Sequence, residues 1–217
     1  MYDRRQSDTR RRSVPTTTFF NLPPPKREKL LNAAIAEFAR RPYGEVSINR
    51  IIQGAEIPRG SFYQYFADKT DLFQYVLRGY DKLLEAAIMK SLDACGGRPL
   101  EIPLALYDLV LDYVRENWAQ FELFMGVLQK NMGMDAGQLL SLPEIVLKVI
   151  ERADWRGLEH LEGDERLAVM DLLFSAAGQA LMHVFCKKLS AGESRRRLAI
   201  KTAVIHRGAN YEEEPSC

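Results

Sequence analysis

Apolar positions recur along this chain with the spacing of helices, and nowhere with the alternation bounded by turn signals that marks strands. Leu30, Leu31, Ala34, Ile35 and Phe38 fall at i, i+1, i+4, i+5 and i+8. They form one stripe of an amphipathic helix that begins near Pro25 or Lys26 and is ended by Pro42 and Gly44. The lead-in "NLPPPK" suits that start, because a residue before proline avoids the helical region while proline itself is tolerated in a first turn. Ser47 is placed to cap a helix of barely two turns, "INRIIQGA", in which Ile48, Ile51, Ile52 and Ala55 are apolar. After "EIP" turns the chain, Pro58 fits the first turn of a third short helix through Phe66, and Asp68 caps a fourth that runs until Gly96 and Gly97. Three helices, the last two short and joined by a tight turn, outline a helix-turn-helix unit.

Beyond residue 73 the pattern stays helical, through "LEIPLALYDLVLDYVRENW", "AQFELFMGVLQKNMG" and "LPEIVLKVIERADWRGLEHL", with glycines and prolines between the segments. From Asp164 to Leu189, 16 of 26 residues are apolar and they cover more than one face, so this helix must bury itself against more than one neighbour. "GESRRRLAIKTAVIHRG" supplies a last helix, stopped by Gly208. The expected fold class is all-α.

The stretch "GSFYQYF", residues 60–66, divides by angle. At 100° per residue from Arg59, Phe62 and Phe66 lie one above the other on an inward face, while Gly60, Ser61 and Gln64 lie opposite. Tyr63 and Tyr65 flank the polar face, where the wheel leaves packing and contact roles both open. A glutamine can bond adenine N6 and N7 in a major groove, a serine can reach a base edge or a phosphate, and a glycine lets the backbone approach a sugar-phosphate chain. Arg59 and Lys69 bring positive charge to the two ends.

Charge distribution strengthens that reading. The formal net charge is only +1, but residues 1–72 carry 13 Lys+Arg against 8 Asp+Glu, and residues 73–217 carry 17 against 21. A basic front on an acidic back is what a polyanion-binding module joined to a second domain looks like. Arg4, Arg5, Arg10, Arg11 and Arg12 fall in a polar arm, residues 1–18, positioned to follow a DNA backbone or enter a minor groove, with Phe19 and Phe20 pinning its end to the fold. Cys95, Cys186 and Cys217 have no CxxC pairing or metal-ligand spacing, which fits reduced thiols. The N-terminus has no apolar run of signal-peptide length, and no segment approaches 18 uninterrupted apolar residues, so the expected location is the cytoplasm, with no membrane partner.

"SINRIIQGAEIPRGSFYQYFADKTDLF", Ser47 to Phe73, resembles the DNA-binding segment of the TetR/AcrR family of bacterial transcriptional regulators. Ser47, Ile51, Ala55, Ile57, Gly60, Ser61, Tyr63, Tyr65, Phe66, Lys69 and Leu72 fall on the family's pattern. The resemblance implies DNA contacts from Asn49, Arg59, Gly60, Ser61, Tyr63, Gln64, Tyr65 and Lys69, with Ser47 on a phosphate, and it moves the two tyrosines towards phosphate contacts. It departs in three places: Glu56 stands at the turn glycine, so that the turn falls to a non-glycine residue or to Gly54; Ile52 replaces a small residue; and Pro58 stands at the usual N-cap.

The resemblance also implies a C-terminal helical ligand-binding and dimerisation domain, here residues 73–210, behind a DNA-binding domain of residues 19–72, with 211–217 as a tail. In that family the last two long helices pair with a second subunit as a four-helix bundle, and Ala176, Ala177, Gly178 and Ala180 would permit close approach. A pocket for a small effector would draw on Tyr107, Trp118, Phe121, Phe124, Met125, Gln129, Met132, Trp155, Gln179 and His183, a set whose helical spacing equally suits plain core. No cofactor or metal is expected. His160, His183 and His206 lie in separate segments without any hydrolase, P-loop or metal-ligand motif, which gives catalysis no foothold. The expectation is a homodimeric, ligand-responsive repressor on a palindromic double-stranded operator. The alternative is an all-α binding protein or enzyme in which the helix-turn-helix is scaffold.

Overall fold

The computed structural model describes residues 15–131 and 142–210; the five arm arginines, Met132, Cys217 and the 211–217 tail lie outside the described residues. All regular structure among the described residues is helical. Contacts divide the chain into two compact units, the first reaching to Gly79 and joined by the residues from Glu122 to Asn131, the second holding Tyr80–Phe121 and the later helices.

In the first unit, α1 (Thr17–Phe20) precedes α2 (Pro24–Arg40), a short 3-10 turn (Tyr43–Glu45), α3 (Ile48–Ala55), α4 (Arg59–Tyr65) and the start of α5 (Lys69–Ala94). Proline occupies the first turn of α2, where its missing N–H costs nothing. Leu30, Ala34, Phe38, Ile51, Phe62, Phe66 and Leu72 are fully buried, so the stripes read from spacing meet in one core. Aromatic rings fill it: Phe38 and Tyr43 stand 4.7 and 5.1 Å from Phe73, and Phe19 lies 5.0 Å from Phe66 and 5.2 Å from Tyr75. The C-terminal part of α7 (Trp118–Asn131) belongs to the same unit. Its Gly126 comes so close to α2 that a Cβ there would stand 2.9 Å from both the Ala39 side chain and carbonyl. Glycine is required at that crossing.

The second unit contains the rest of α5, a 3-10 turn at Pro99–Glu101, α6 (Ile102–Glu116), α8 (Leu142–Arg152), α9 (Gly163–Phe185) and α10 (Ala191–Ala209). Two buried clusters hold it together. The larger gathers Ile88, Leu92, Ile102, Val149, Met170 and Leu173, and the smaller gathers Tyr107, Ala176, Ala180 and Leu198. α9 starts with a reciprocal capping box between Glu162 and Glu165, and α10 with the Ser190 hydroxyl accepting the Glu193 N–H at 3.2 Å. By length and composition α9 could cross a membrane, but it buries Val169, Met170, Leu173 and Ala177 within this helical unit.

Of the four small residues of α9 expected at a subunit contact, Gly178 is exposed and the three alanines are buried. Ala176, Ala177 and Ala180 are buried within the chain, where they let α9 pack closely on its own neighbours. The outward side of α9 and α10 instead carries Leu172, Met182, Ile200 and Val204, with relative exposures of 57, 36, 54 and 52%.

Candidate nucleic-acid interface

The turn between α3 and α4 shows how the sequence manages without glycine. Glu56 takes φ 54° and ψ 44°, the left-handed conformation that glycine adopts most easily. Its N–H bonds the Gln53 carbonyl while the Ile57 N–H bonds that of Ile52, both at 3.1 Å, which closes α3 with a Schellman pair. Lys29 reaches the Glu56 carboxylate at 2.6 Å and holds it below the usual carboxylate range. Gly54 stays helical and brings α3 against α2, where a Cβ would meet that of Ala33 at 3.2 Å. Pro58 stands at the N-cap position of α4 without a capping side chain, and the helix proper starts at Arg59.

On α4 the angular division holds in three dimensions. Phe62 and Phe66 are wholly buried, whereas Arg59, Gly60 and Gln64 are exposed, Tyr63 is 44% exposed, and Ser61 is half-buried. Nothing lies within 4 Å of a Cβ at Gly60, so the protein's own packing does not demand glycine there. Tyr65 departs from the flank position given by the wheel. It is buried, with Phe19 6.3 Å from its ring, because α1 covers that flank. Residues just before α1 also finish the helix. The Thr16 N–H donates to the Tyr65 carbonyl at 3.1 Å and the Thr16 hydroxyl to the Gln64 carbonyl at 2.6 Å, satisfying two acceptors that a helix end leaves open. Local periodicity gave no sign of Thr16, because the contact joins residues 48 apart.

The connector from α2 into α3 is held from three sides. Lys69 donates to the carbonyls of Tyr43 and Val46 at 2.7 and 3.3 Å, and its ammonium lies 4.5 Å from the Tyr43 ring centroid. Two of its three donors are therefore taken up inside the protein. Lys69, expected as a phosphate contact, thus also braces this connector and keeps one donor beyond these two bonds. The Tyr43 hydroxyl bonds Thr70 at 2.8 Å, and the Tyr43 N–H donates to the buried Asn131 at 2.9 Å. Ser47 occupies the N-cap position of α3, but the side chain does not cap the helix; its backbone N–H donates instead to Glu37 Oε1 at 3.2 Å. Asn49 is exposed in the first turn of α3.

The expected effector-pocket residues are scattered among different surroundings. Tyr107 is completely buried in the smaller cluster and donates its hydroxyl to the Ala191 carbonyl at 2.8 Å. Trp155 belongs to the larger cluster, bonds the Ile150 carbonyl at 3.0 Å and carries Arg166 over its ring. Trp118 is half exposed and stands 6.2 Å from Phe121, which in turn lies 4.2 Å from Phe185, a residue not singled out from the sequence. Phe124, Met125 and Gln129 lie on the part of α7 that belongs to the first unit, the first two half-buried and Gln129 exposed. Gln179 is exposed on α9 and accepts from Lys201 of α10 at 2.7 Å, and His183 is half-buried nearby on α9. Among the described residues, no group of His, Cys, Asp and Glu side chains could hold a metal ion.

Residues 30–76 match the family model described as "Bacterial regulatory proteins, tetR family". The chain is 28% identical over 116 residues to the Transcriptional regulator AcuR of Cereibacter sphaeroides, covering 52% of this chain and 49% of that protein. It is 30% identical over 105 residues to the HTH-type transcriptional repressor KstR2 of Mycobacterium tuberculosis, covering 48% of this chain and 52% of the relative. The matches thus span about half the length of these relatives. A crystal structure of a TetR family transcriptional regulator from Chloroflexus aurantiacus aligns over 91% of this chain and 95% of its own, with a TM-score of 0.52 and 24% identity. A second, from Streptomyces coelicolor, aligns over 85% and 82% with a TM-score of 0.53 and 21% identity. These two likenesses bear on the fold.

Proposed function

We propose that the chain is a member of the TetR family of bacterial transcriptional regulators, whose family model matches residues 30–76, and that it is a homodimeric repressor, released from a palindromic operator by a small-molecule effector. The observation that carries the reading is the division of α4. A fully buried Phe62 and Phe66 fix the helix, and Arg59, Gly60, Ser61, Tyr63 and Gln64 are left at its surface with no core to fill. Gln64 and Ser61 read base edges in the major groove, Gly60 admits the sugar-phosphate backbone, and Arg59 and Tyr63 hold phosphates. Ser47 and Asn49 meet the backbone from α3, the helix that crosses it in this motif. Lys69 and Tyr65 serve this surface from beneath, by holding the connector and the end of α4.

One short reading helix buries too little surface to be selective. Two of them, about 34 Å apart on one face of B-DNA, read a palindrome. The exposed Leu172, Met182, Ile200 and Val204 supply the apolar face that a second copy would cover. Lys201 and Gln179 tie α9 to α10 alongside it. The aromatic group of Trp118, Phe121 and Phe185 favours an apolar or aromatic effector. Such an effector acts by binding better to a state whose two reading helices no longer match the half-site spacing. The KstR2 name, a repressor, supports the sign of regulation.

The test is selection of fragments of the source genome by the purified protein, followed by binding at several salt concentrations. A preferred duplex whose affinity falls steeply with salt is the expected result. Failure to prefer any sequence would leave the helix-turn-helix as scaffold.

A further inference from the structure

Beneath the first turn of α3 lies an ion pair that periodicity does not announce. Glu37, on the inner side of α2, is 8% exposed, and its Oε1 accepts both the Ser47 N–H at 3.2 Å and Arg50 Nε at 2.6 Å. Arg50 Nη2 donates in turn to the Glu45 carbonyl at 2.9 Å, and Arg41 approaches the same Glu37 oxygen at 3.9 Å. Two edges of the Arg50 guanidinium are thus fixed by the fold, while its side chain remains 44% exposed and Nη1 has no hydrogen-bond partner among the described residues.

We propose that Arg50 is a DNA-phosphate contact, positioned by the buried carboxylate of Glu37. The inference rests on the DNA-binding reading above. Guanidinium offers five donors in a rigid plane, so tying down Nε and one Nη2 donor still leaves the outer edge able to meet a phosphate oxygen. A side chain already immobilised loses little rotamer freedom when DNA arrives. Its place in the motif suits such a contact, since Arg50 follows Asn49 and Ser47 on the helix that crosses the backbone in a helix-turn-helix. Glu37 also holds the Ser47 amide, so one carboxylate sets the register of both the helix start and its cation. Glu37 would then be a positioning residue, acting through Arg50 and Ser47 without touching DNA.

Salt dependence separates this role from that of a mere staple between α2 and α3. Each neutralised phosphate adds about 0.9 to the slope of log K against log salt. Measured against the wild-type protein on a duplex of arbitrary sequence and on its selected duplex, Arg50→Gln should lower both slopes by about 0.9 and weaken both affinities about tenfold. Arg50→Lys, which keeps the charge but not the plane, should retain the slope and lose part of the affinity. Glu37→Gln keeps an acceptor oxygen for both donors and should leave the slope in place. Circular dichroism checks that each variant folds. If Arg50→Gln does not, the doubly neutral Glu37→Gln/Arg50→Gln pair, whose amides can still bond, gives the slope. An unchanged slope on removing the charge overturns the proposal while leaving the DNA-binding reading intact. Wild-type protein that shows no salt-dependent binding would remove the reading itself.

Discussion

Gln64 and Lys69 stand five positions apart and differ in what holds their side chains. Gln64 is exposed on α4 with nothing inside the protein to bond its side chain among the described residues, so its expected work is base recognition. Gln64→Ala should cost about 1–3 kcal/mol on the preferred duplex and much less on a scrambled one; competition binding on the two duplexes measures the difference, and an equal loss on both would deny it a reading role. Lys69 gives two of its three donors to the carbonyls of Tyr43 and Val46. Lys69→Met keeps the stem and removes the ammonium, and should lower stability by about 1–2 kcal/mol in a denaturant titration, as lost charged hydrogen bonds do. A residue that only met phosphate would leave that midpoint where it was.

At the scale of elements, pattern and outcome agree where the information is local. The stripe of Leu30, Ala34 and Phe38, the short helix from Ile48, and the inward pair Phe62 and Phe66 follow from spacing alone, because each helix must bury one face. What spacing could not supply was decided by partners distant in sequence. α1 buries Tyr65, which the wheel had left on a flank; Ala176 and Ala180 are used up against Tyr107 and Leu198. The expected pocket residues show the same limit, since aromatic spacing alone does not tell the core, where Tyr107 and Trp155 went, from a ligand wall. The start of α10 carries a pH-dependent prediction. Hydrogen bonds from Arg196 and Arg197 hold the Glu193 carboxyl down to about 2. A depressed folded value means the contribution is full above the unfolded range near about 4.3 and fades as pH falls towards about 2. Acid should therefore loosen the first turn of α10 in that window, seen as faster amide exchange there, and Glu193→Gln should abolish the pH dependence.

For the whole molecule, the proposed dimer makes the number of reading helices presented together the decisive quantity. Leu172→Arg or Ile200→Glu places a charge in the apolar face of α9 and α10 without disturbing a buried side chain, since both residues are more than half exposed. Either should leave the chain folded and monomeric by sedimentation, and weaken operator binding at least tenfold, because the second half-site no longer benefits from the first. A dimer that survives both substitutions would move the interface elsewhere. The cap that Thr16 places on α4 bears on how far the chain can be trimmed. A shortened protein starting at Pro24 would contain the complete helix-turn-helix yet expose two carbonyls at the foot of the reading helix and empty the place of the Phe19 ring. Removing residues 1–14 asks what the arginine arm does; cutting four residues further, through 18, also dismantles the footing of α4, and any loss of binding would then have two causes.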